Sequence, residues 1–120
     1  MKQIPESLLN TFRKYDTPTI VNSLELLDSK FRTSCFTTEQ MICVDTTLPP
    51  IVGYARTATI SASSEVDPNT KRDRSLAYYE YVSSGTAPFI SVIQDVDESP
   101  GFGAFWGEVN SNIHNALGVI

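Results

Sequence analysis

Apolar residues in the first quarter of the chain recur at helical spacing and predict a helical lead-in at about residues 5–28. One apolar stripe follows a proline suited to a first helical turn and predicts a helix over residues 5–15. A second stripe begins after Thr17, which is the predicted N-cap because Pro18 suits the first helical position. Residues 28–40 are polar and irregular, so no element is predicted there.

Further along the chain, four apolar segments have the composition of strands. Residues 41–44 form a short candidate before the rigid, proline-containing connector at residues 48–50. Residues 53–62 alternate in polarity and are rich in Thr, Ile and Tyr, which predicts a strand. Residues 89–93 are nearly all apolar, which is typical of a strand covered on both faces. Residues 119–120 have the composition of the start of another buried strand.

Helical patterns separate the later strands. A helix capped by Asn69 or Thr70 is predicted to run to about residue 83. Its predicted inward side chains are Leu76, Tyr79 and Val82. The last helix spans about residues 108–117 and is ended by Gly118. Because strands and helices alternate, a parallel sheet with crossover helices is expected, and the predicted fold class is α/β.

Composition and charge narrow the class of protein. The chain has 120 residues, of which 41% are hydrophobic and 19% charged, so one folded domain over residues 1–120 is expected. The formal charge is −5 and the nine basic residues are scattered, so binding of nucleic acid through a basic face is not expected. No apolar run approaches the roughly 18 residues of a membrane span. The N-terminus lacks the apolar core of a signal peptide, so a cytoplasmic protein with no membrane partner is expected.

Thiol and imidazole ligands are scarce. Cys35 and Cys43 are the only cysteines, and His114 is the only histidine. Their spacing fits no zinc or redox motif, so a His/Cys metal site is not expected and both thiols are expected to be buried or half-buried. His114 lies six residues after Glu108 and off its helical face, so it is expected to be a surface or packing residue.

The segment between the strand at 89–93 and the last helix carries the candidate chemistry. It contains the acids Asp95, Asp97 and Glu98 and the glycines Gly101, Gly103 and Gly107. A helix that begins after such a loop offers free N–H groups to a carboxylate or phosphate. Carboxylates nearby can hold a hard cation such as Mg²⁺. Because Asp95 ends a strand, it lies at the edge where open α/β sheets bind ligands. This order of residues predicts an anion site beside a cation site.

Simpler explanations of the same residues stay open. The glycines miss the dinucleotide-binding fingerprint because Trp106 stands at the third glycine position, and they are also explained by the dihedral angles of a tight turn. Glu108 is also explained by the helix macrodipole, which favours an acid in the first turn by about 0.3–1 kcal/mol. Asp97 and Glu98 are expected to be loop acids that face solvent.

Five segments of the chain form a recognisable series. The most specific segment is Gly103-Ala104-Phe105-Trp106-Gly107-Glu108. The other segments are residues 17–24, 53–58, 90–95 and 116–119. In order and spacing these segments resemble the RraA-like family. The family includes the regulator of ribonuclease E activity A and the class II pyruvate aldolases that act on 4-hydroxy-4-methyl-2-oxoglutarate. The resemblance covers most of the chain from about residue 16 onwards.

The resemblance implies a swivelling β/β/α domain that assembles as homotrimers or hexamers and takes a small 2-oxo acid as substrate. In the aldolase members, the substrate carboxylate lies on backbone amides just after a Gly-acid pair. Carried over to this chain, the implied substrate-binding residues are Gly107, Val109 and Asn110. The implied catalytic residue is Glu108, which would hold Mg²⁺ or Mn²⁺ through water or position a catalytic water.

The activity implied by the resemblance is metal-assisted cleavage of 4-hydroxy-2-oxo acids to pyruvate, together with decarboxylation of oxaloacetate. Asp95 and Gly103 lie at the implied edge of the site. The family also has an Arg-Asp pair, with a direct metal ligand, one strand and a turn beyond the last helix. The resemblance therefore implies a C-terminally incomplete domain that lacks this ligand. Two alternatives stay open: a non-catalytic RraA-type module that binds a protein partner, and a generic metabolite-binding α/β domain.

Overall fold

The computed structural model describes residues 3–34 and 36–120, and the chain divides into two compact units. The first unit covers residues 1–52 and the second covers residues 53–120. No helix in the described ranges is long and apolar enough to cross a membrane.

The first unit begins with the two helices predicted for the lead-in. Helix α1 spans Glu6–Phe12 and helix α2 spans Thr17–Leu27, and a single turn of 3₁₀ helix follows at Ser29–Arg32. The N-cap of α2 is Asp16, whose carboxylate accepts a 2.9 Å hydrogen bond from the Thr19 amide. The prediction of Thr17 as the N-cap is therefore wrong by one residue, because the carboxylate of Asp16 reaches the first-turn amide and Thr17 already lies within the helix.

Residues 41–44 are not a strand, which corrects the prediction for this segment. Their side chains are exposed, and Ile42 exposes 81% of its surface. A strand is stabilised by backbone hydrogen bonds to a neighbouring strand, and four apolar residues do not supply that partner. Cys43 in the same segment is an exposed free thiol, so the expectation of burial is wrong for it, whereas Cys35 lies outside the described residues.

The second unit has the predicted alternation of strands and helices. Its elements are β1 at Tyr54–Ile60, α3 at Pro68–Ser83, β2 at Phe89–Asp95 and α4 at Glu108–Ala116. The two strands are parallel and pair from Tyr54 opposite Phe89 to Ile60 opposite Asp95. Val119 then forms a parallel bridge with Phe89, beside β2. This mixture of helices with a parallel sheet confirms the α/β class.

Helix α3 is fastened at both ends by polar side chains. At its start, the Asp67 carboxylate accepts hydrogen bonds from the amides of Asn69 and Thr70 at 3.1 and 3.0 Å, so Asp67 is the N-cap. The prediction of Asn69 or Thr70 as the cap is therefore wrong, because these residues donate to the cap. At its end, the Arg56 guanidinium of β1 donates to the carbonyl oxygens of Val82 and Ser84. Arg56 therefore neutralises the free carbonyls of the last turn and ties α3 to the sheet.

The core of the second unit is small and lies around Val82 and Phe89, which expose 0% and 2% of their surfaces. Val82 is buried as predicted, but Leu76 exposes 55%, so its predicted inward position is wrong. Val92 in the middle of β2 exposes 38%, which corrects the prediction of a strand covered on both faces. A nearly apolar segment can also be a strand with one face exposed to solvent. Valine is favourable on the exposed face because it has a high strand propensity.

Gly118 ends α4 as predicted. Its φ angle of +90° belongs to the left-handed region, which glycine adopts without a steric penalty. A side chain at this position would also come within 3.2 Å of the Ala87 Cβ atom. The turn at Gly118 therefore brings the chain back to Phe89, whose amide donates to the Gly118 carbonyl at 3.0 Å.

Candidate functional site

The first turn of α4, which follows the loop from β2, has no side-chain cap, and we call it the open turn. Gly107 is the N-cap in an extended conformation, and no side chain caps the helix. The amides of Glu108, Val109 and Asn110 have no acceptor within the helix because they precede its first hydrogen bond, which runs from the Ser111 amide to the Gly107 carbonyl at 2.9 Å. A Cβ atom at Gly107 would meet nothing within 4 Å. The helix thus presents free donors beside open space.

The structure brings together the four residues predicted for substrate and metal at this helix start. Gly107, Glu108 and Val109 are exposed, and Asn110 is half-buried. Exposure of the Glu108 side chain leaves its carboxylate in contact with water. The amide donors of this turn can therefore bind an anion, and the carboxylate of Glu108 can bind a cation that accompanies it.

Asp95 lies at the end of β2, where it closes the loop that follows. One carboxylate oxygen accepts from the Asp97 amide at 3.0 Å, and the other accepts from the Gly101 amide at 2.7 Å. Both oxygens of this predicted site-edge residue are therefore engaged with backbone groups. The carboxylate holds the start of the loop in a compact turn.

Asp97 is buried, with 8% of its surface exposed, which corrects the expectation that it faces solvent. Its carboxylate accepts hydrogen bonds from the hydroxyls of Ser61 and Ser63 and from the amides of Ala62 and Ser63. These bonds, led by the one from Ser61, lower the pKa of Asp97 from 3.8 to about 2. Asp97 therefore joins the segment after β1 to the segment after β2.

Two of the loop glycines have structural reasons to be glycine. Gly101 has a φ angle of +87°, which strains residues with a side chain. A Cβ atom at Gly103, the other predicted edge residue, would collide with the Cβ atom of Ala62. The tight-turn explanation thus accounts for these two positions. It does not account for Gly107, which has an extended backbone and free space around it.

Behind the open turn lies His114, which was expected to be a surface or packing residue and is buried. His114 exposes 2% of its surface and both of its ring nitrogens are hydrogen-bonded. Nδ1 donates to the Asn110 carbonyl at 2.6 Å, since a carbonyl oxygen can only accept. Nε2 lies 2.8 Å from the Tyr78 hydroxyl, which lies 2.9 Å from the Ser91 hydroxyl. His114 therefore links α4 to α3 and β2.

Four aromatic rings surround His114. Ring centroids lie 4.7 Å from it for Trp106, 5.6 Å for Tyr78, 5.7 Å for Phe105 and 6.0 Å for Tyr79. Burial in this cluster raises the pKa of the Tyr78 hydroxyl. The cluster fixes the two loop residues that immediately precede the helix cap, and His114 is a packing residue of the second unit.

Asn110 connects the open turn to this cluster through its side chain. Its amide nitrogen donates to the Phe105 carbonyl at 2.6 Å, and its amide oxygen accepts from the Tyr79 hydroxyl at 3.3 Å. The sequence contains a sign of this link, because Asn110 and His114 are four residues apart and therefore lie on one helical face. Glu108 and His114 are six residues apart and lie on different faces.

Glu108 offers an exposed carboxylate to a cation at the open turn. Among residues 3–34 and 36–120, no group of three or more His, Cys, Asp or Glu side chains is placed to hold a metal ion. Mg²⁺ is often bound through one or two carboxylates and keeps several waters, so the exposed Glu108 fits a water-mediated hold on Mg²⁺ or Mn²⁺. Comparisons of the chain with protein-family models, curated proteins and solved structures found no match.

Proposed function

We propose that the chain is an RraA-like domain derived from a magnesium-dependent lyase that cleaves 4-hydroxy-2-oxo acids to pyruvate and also decarboxylates oxaloacetate. The observation that carries the proposal is the uncapped first turn of α4, which offers free amides next to the exposed Glu108. The same proposal includes the swivelling β/β/α fold, assembly as homotrimers or hexamers, and a cytoplasmic location.

In this proposal the amides of Val109 and Asn110 bind the carboxylate of the 2-oxo acid. The partial positive charge at the helix start attracts this carboxylate. Gly107 lets the ligand approach the backbone, because open space surrounds the position of a side chain there. Anchoring the carboxylate orients the bond to be cleaved, which lowers the entropic part of the barrier.

Glu108 is the catalytic residue of the proposal. Its exposed carboxylate holds Mg²⁺ or Mn²⁺ through water, or acts through a positioned water as the base that removes the hydroxyl proton of the substrate. When bound, the cation supplies Lewis-acid polarisation of the 2-oxo oxygen.

A second candidate is a non-catalytic module that binds a protein partner. Three apolar side chains of the loop after β2 and the first turn of α4 are exposed, namely Phe102, Trp106 and Val109, and Val109 exposes 72% of its surface. Apolar patches rimmed by polar groups are common at protein interfaces. A module that binds a protein partner needs no metal, and this candidate therefore competes directly with the lyase.

Pyruvate release from oxaloacetate by the longest natural product of the gene tests the proposal, since the resemblance assigns the direct metal ligand to the Arg-Asp pair. Release above the protein-free background, with Mg²⁺ and not with EDTA, is expected for the lyase. Glu108→Gln is expected to reduce the rate by at least about 100-fold, the usual contribution of an acid or base. Glu98→Gln changes the charge equally at another exposed position and serves as the matched control. A folded protein that carries the Arg-Asp pair and gives no metal-dependent release would favour the binding module.

A further inference from the structure

We infer that the Asn110 side chain is a positioning group of the proposed site, because it fastens the loop that enters α4 and leaves the first-turn amides free for a carboxylate. The inference rests on the proposed function for its ligand and on the geometry of the loop for its mechanism. Asn110 acts through the loop and the helix backbone, and it differs in this from Glu108, which would touch the reacting groups.

The hydrogen bond from Asn110 runs backwards across the helix cap. Phe105 lies two residues before the N-cap Gly107, and Asn110 lies three residues after it. The 2.6 Å bond from the Asn110 amide nitrogen to the Phe105 carbonyl therefore closes the loop onto the helix. The Tyr79 hydroxyl, 3.3 Å from the Asn110 amide oxygen, orients the amide group for this bond.

A side-chain cap occupies first-turn amides, whereas the bond from Asn110 to Phe105 does not. In α2 and α3, the carboxylates of Asp16 and Asp67 accept hydrogen bonds from first-turn amides, so those amides are occupied. At the start of α4, the side chain is a donor and its acceptor is a loop carbonyl. The direction of the chain into the helix is thus fixed without using the amides of Val109 and Asn110.

The backbone of Asn110 is held from the other side by His114. The Asn110 carbonyl accepts from His114 Nδ1 at 2.6 Å, and the His114 ring is buried among four aromatic rings. Two of those rings belong to Phe105 and Trp106, the loop residues that the Asn110 side chain fastens. Loop and helix start are therefore held as one piece, and this rigidity preserves the angle between the two amide donors.

Two independent readouts test this inference. The first is the affinity for pyruvate, measured by titration in the presence of Mg²⁺. The second is acrylamide quenching of Trp106, the single tryptophan, which reports the position of the loop without any ligand. The variants are Asn110→Ala and Tyr79→Phe. The matched control is Tyr81→Phe, which removes a hydroxyl from the same helix, where it accepts from the Thr57 amide of β1 at 3.2 Å.

Asn110→Ala is expected to weaken pyruvate binding by about tenfold and Tyr79→Phe by about threefold, the range of one lost hydrogen bond. Trp106 quenching is expected to rise in both variants, and Tyr81→Phe is expected to change neither readout. Asn110→Asp is a further check: an acid is favourable in the first turn, yet it cannot donate to Phe105. Quenching in Asn110→Asp is expected to rise as in Asn110→Ala, which a role in helix stability alone does not predict.

The outcomes separate this inference from the proposed function. Unchanged Trp106 quenching in Asn110→Ala and Asn110→Asp would overturn the positioning role, whether or not pyruvate binds. Failure of the parent chain to bind pyruvate would overturn the ligand and the proposed function together. Increased quenching in that case would show the loop anchor alone, with no role in binding.

Discussion

Helices α3 and α4 begin in opposite ways, although both follow a loop that leaves the same end of the parallel sheet. The start of α3 is closed by Asp67, which accepts from two first-turn amides. The start of α4 has no side-chain cap, and its glycine faces open space. The first-turn amides of α3 stabilise the fold, whereas those of α4 are left without a side-chain acceptor, as the proposed anion site requires.

The two helices also differ in what stabilises them. A side-chain cap contributes about 0.5–2 kcal/mol, and α3 has one. Helix α4 lacks this contribution and depends on packing around His114, which bonds to Tyr78 of α3 through Nε2 and contacts four aromatic rings of α3 and the preceding loop. The comparison therefore predicts that α4 is sensitive to changes in its buried face and α3 to changes at its cap.

The largest expected effect is that of His114→Ala. Removing the ring leaves a cavity among the aromatic rings and unpaired groups on Tyr78 and Asn110, and we expect the free energy of unfolding to fall by about 3 kcal/mol. Asp67→Ala, which removes the cap of α3, is expected to cost about 1 kcal/mol. Urea unfolding of both variants measures the difference.

His114→Phe is the control for that prediction, because it keeps an aromatic ring and removes both hydrogen bonds. We expect it to lose about half as much stability as His114→Ala, since packing is retained. Equal costs for His114→Ala and Asp67→Ala would contradict the division of roles between the two helices.

Acid is expected to have an intermediate effect, through carboxylates that accept hydrogen bonds. The pKa of Asp97 is lowered to about 2 in the folded chain from an ordinary 3.8, so its ionised form favours the folded state. Because the folded pKa is the lower one, this stability is complete above about pH 4 and is lost as the pH falls from 4 towards 2. Hydrogen bonds from Thr70 and Asn69 also lower the pKa of Asp67, which adds in the same direction.

The urea midpoint measured between pH 5 and pH 2 tests this effect, with Asp97→Asn as the comparison. The variant keeps the shape of the side chain but has no charge to titrate, so we expect lower stability at pH 5 and a weaker dependence on pH below 4. Parallel curves for the two proteins would mean that Asp97 does not contribute to the acid response.

Gly107→Asp is expected to have the smallest effect on the free energy of unfolding. Its effect on pyruvate binding is expected to be large. Its φ angle of −163° suits any residue, and nothing lies within 4 Å of the added Cβ atom. A carboxylate there is expected to cap the first turn and to stabilise the fold by a few tenths of a kcal/mol, because glycine is already a fair N-cap. It occupies the free amides and repels anions, so pyruvate affinity is expected to fall more than about tenfold.

Gly107→Ala is the matched control, since it adds a side chain without a cap. It is expected to affect pyruvate binding less than the acid does, and to leave the urea midpoint close to that of the parent. If Gly107→Asp bound pyruvate as well as the parent, the open turn of α4 would not be the anion site.

Local patterns in the sequence were sufficient to predict the elements of the second unit. Strands β1 and β2 and helices α3 and α4 were predicted within a few residues, because each has an apolar pattern or run of suitable length and a turn or cap at its ends. The caps of α2 and α3 lie earlier in the chain than predicted, because in each case an aspartate before the predicted residue accepts a hydrogen bond from a first-turn amide. The prediction of a strand at residues 41–44 is wrong because pairing in a sheet is not a local property.

The candidate site was predictable in part for the same reason. The helix start with Gly107 and Glu108 is encoded in adjacent residues, so the sequence was enough to locate it. The support behind it joins residues far apart: Tyr78 and His114 are 36 positions apart, and Asp97 and Ser61 are also 36 apart. No periodicity reports contacts of that range, and therefore the burial of His114 and Asp97 required the structure.

The position of β2 has a consequence for the time course of folding. Phe89 in this strand pairs with β1 on one side and with Val119 on the other, and a whole helix intervenes in the chain each time. Neither pairing can form before the chain has closed a loop that contains a helix, so the entropic cost of closure comes before any hydrogen bond in the sheet. Because the helices can form from local contacts and the strand pairings cannot, we expect the sheet around β2 to form after the helices.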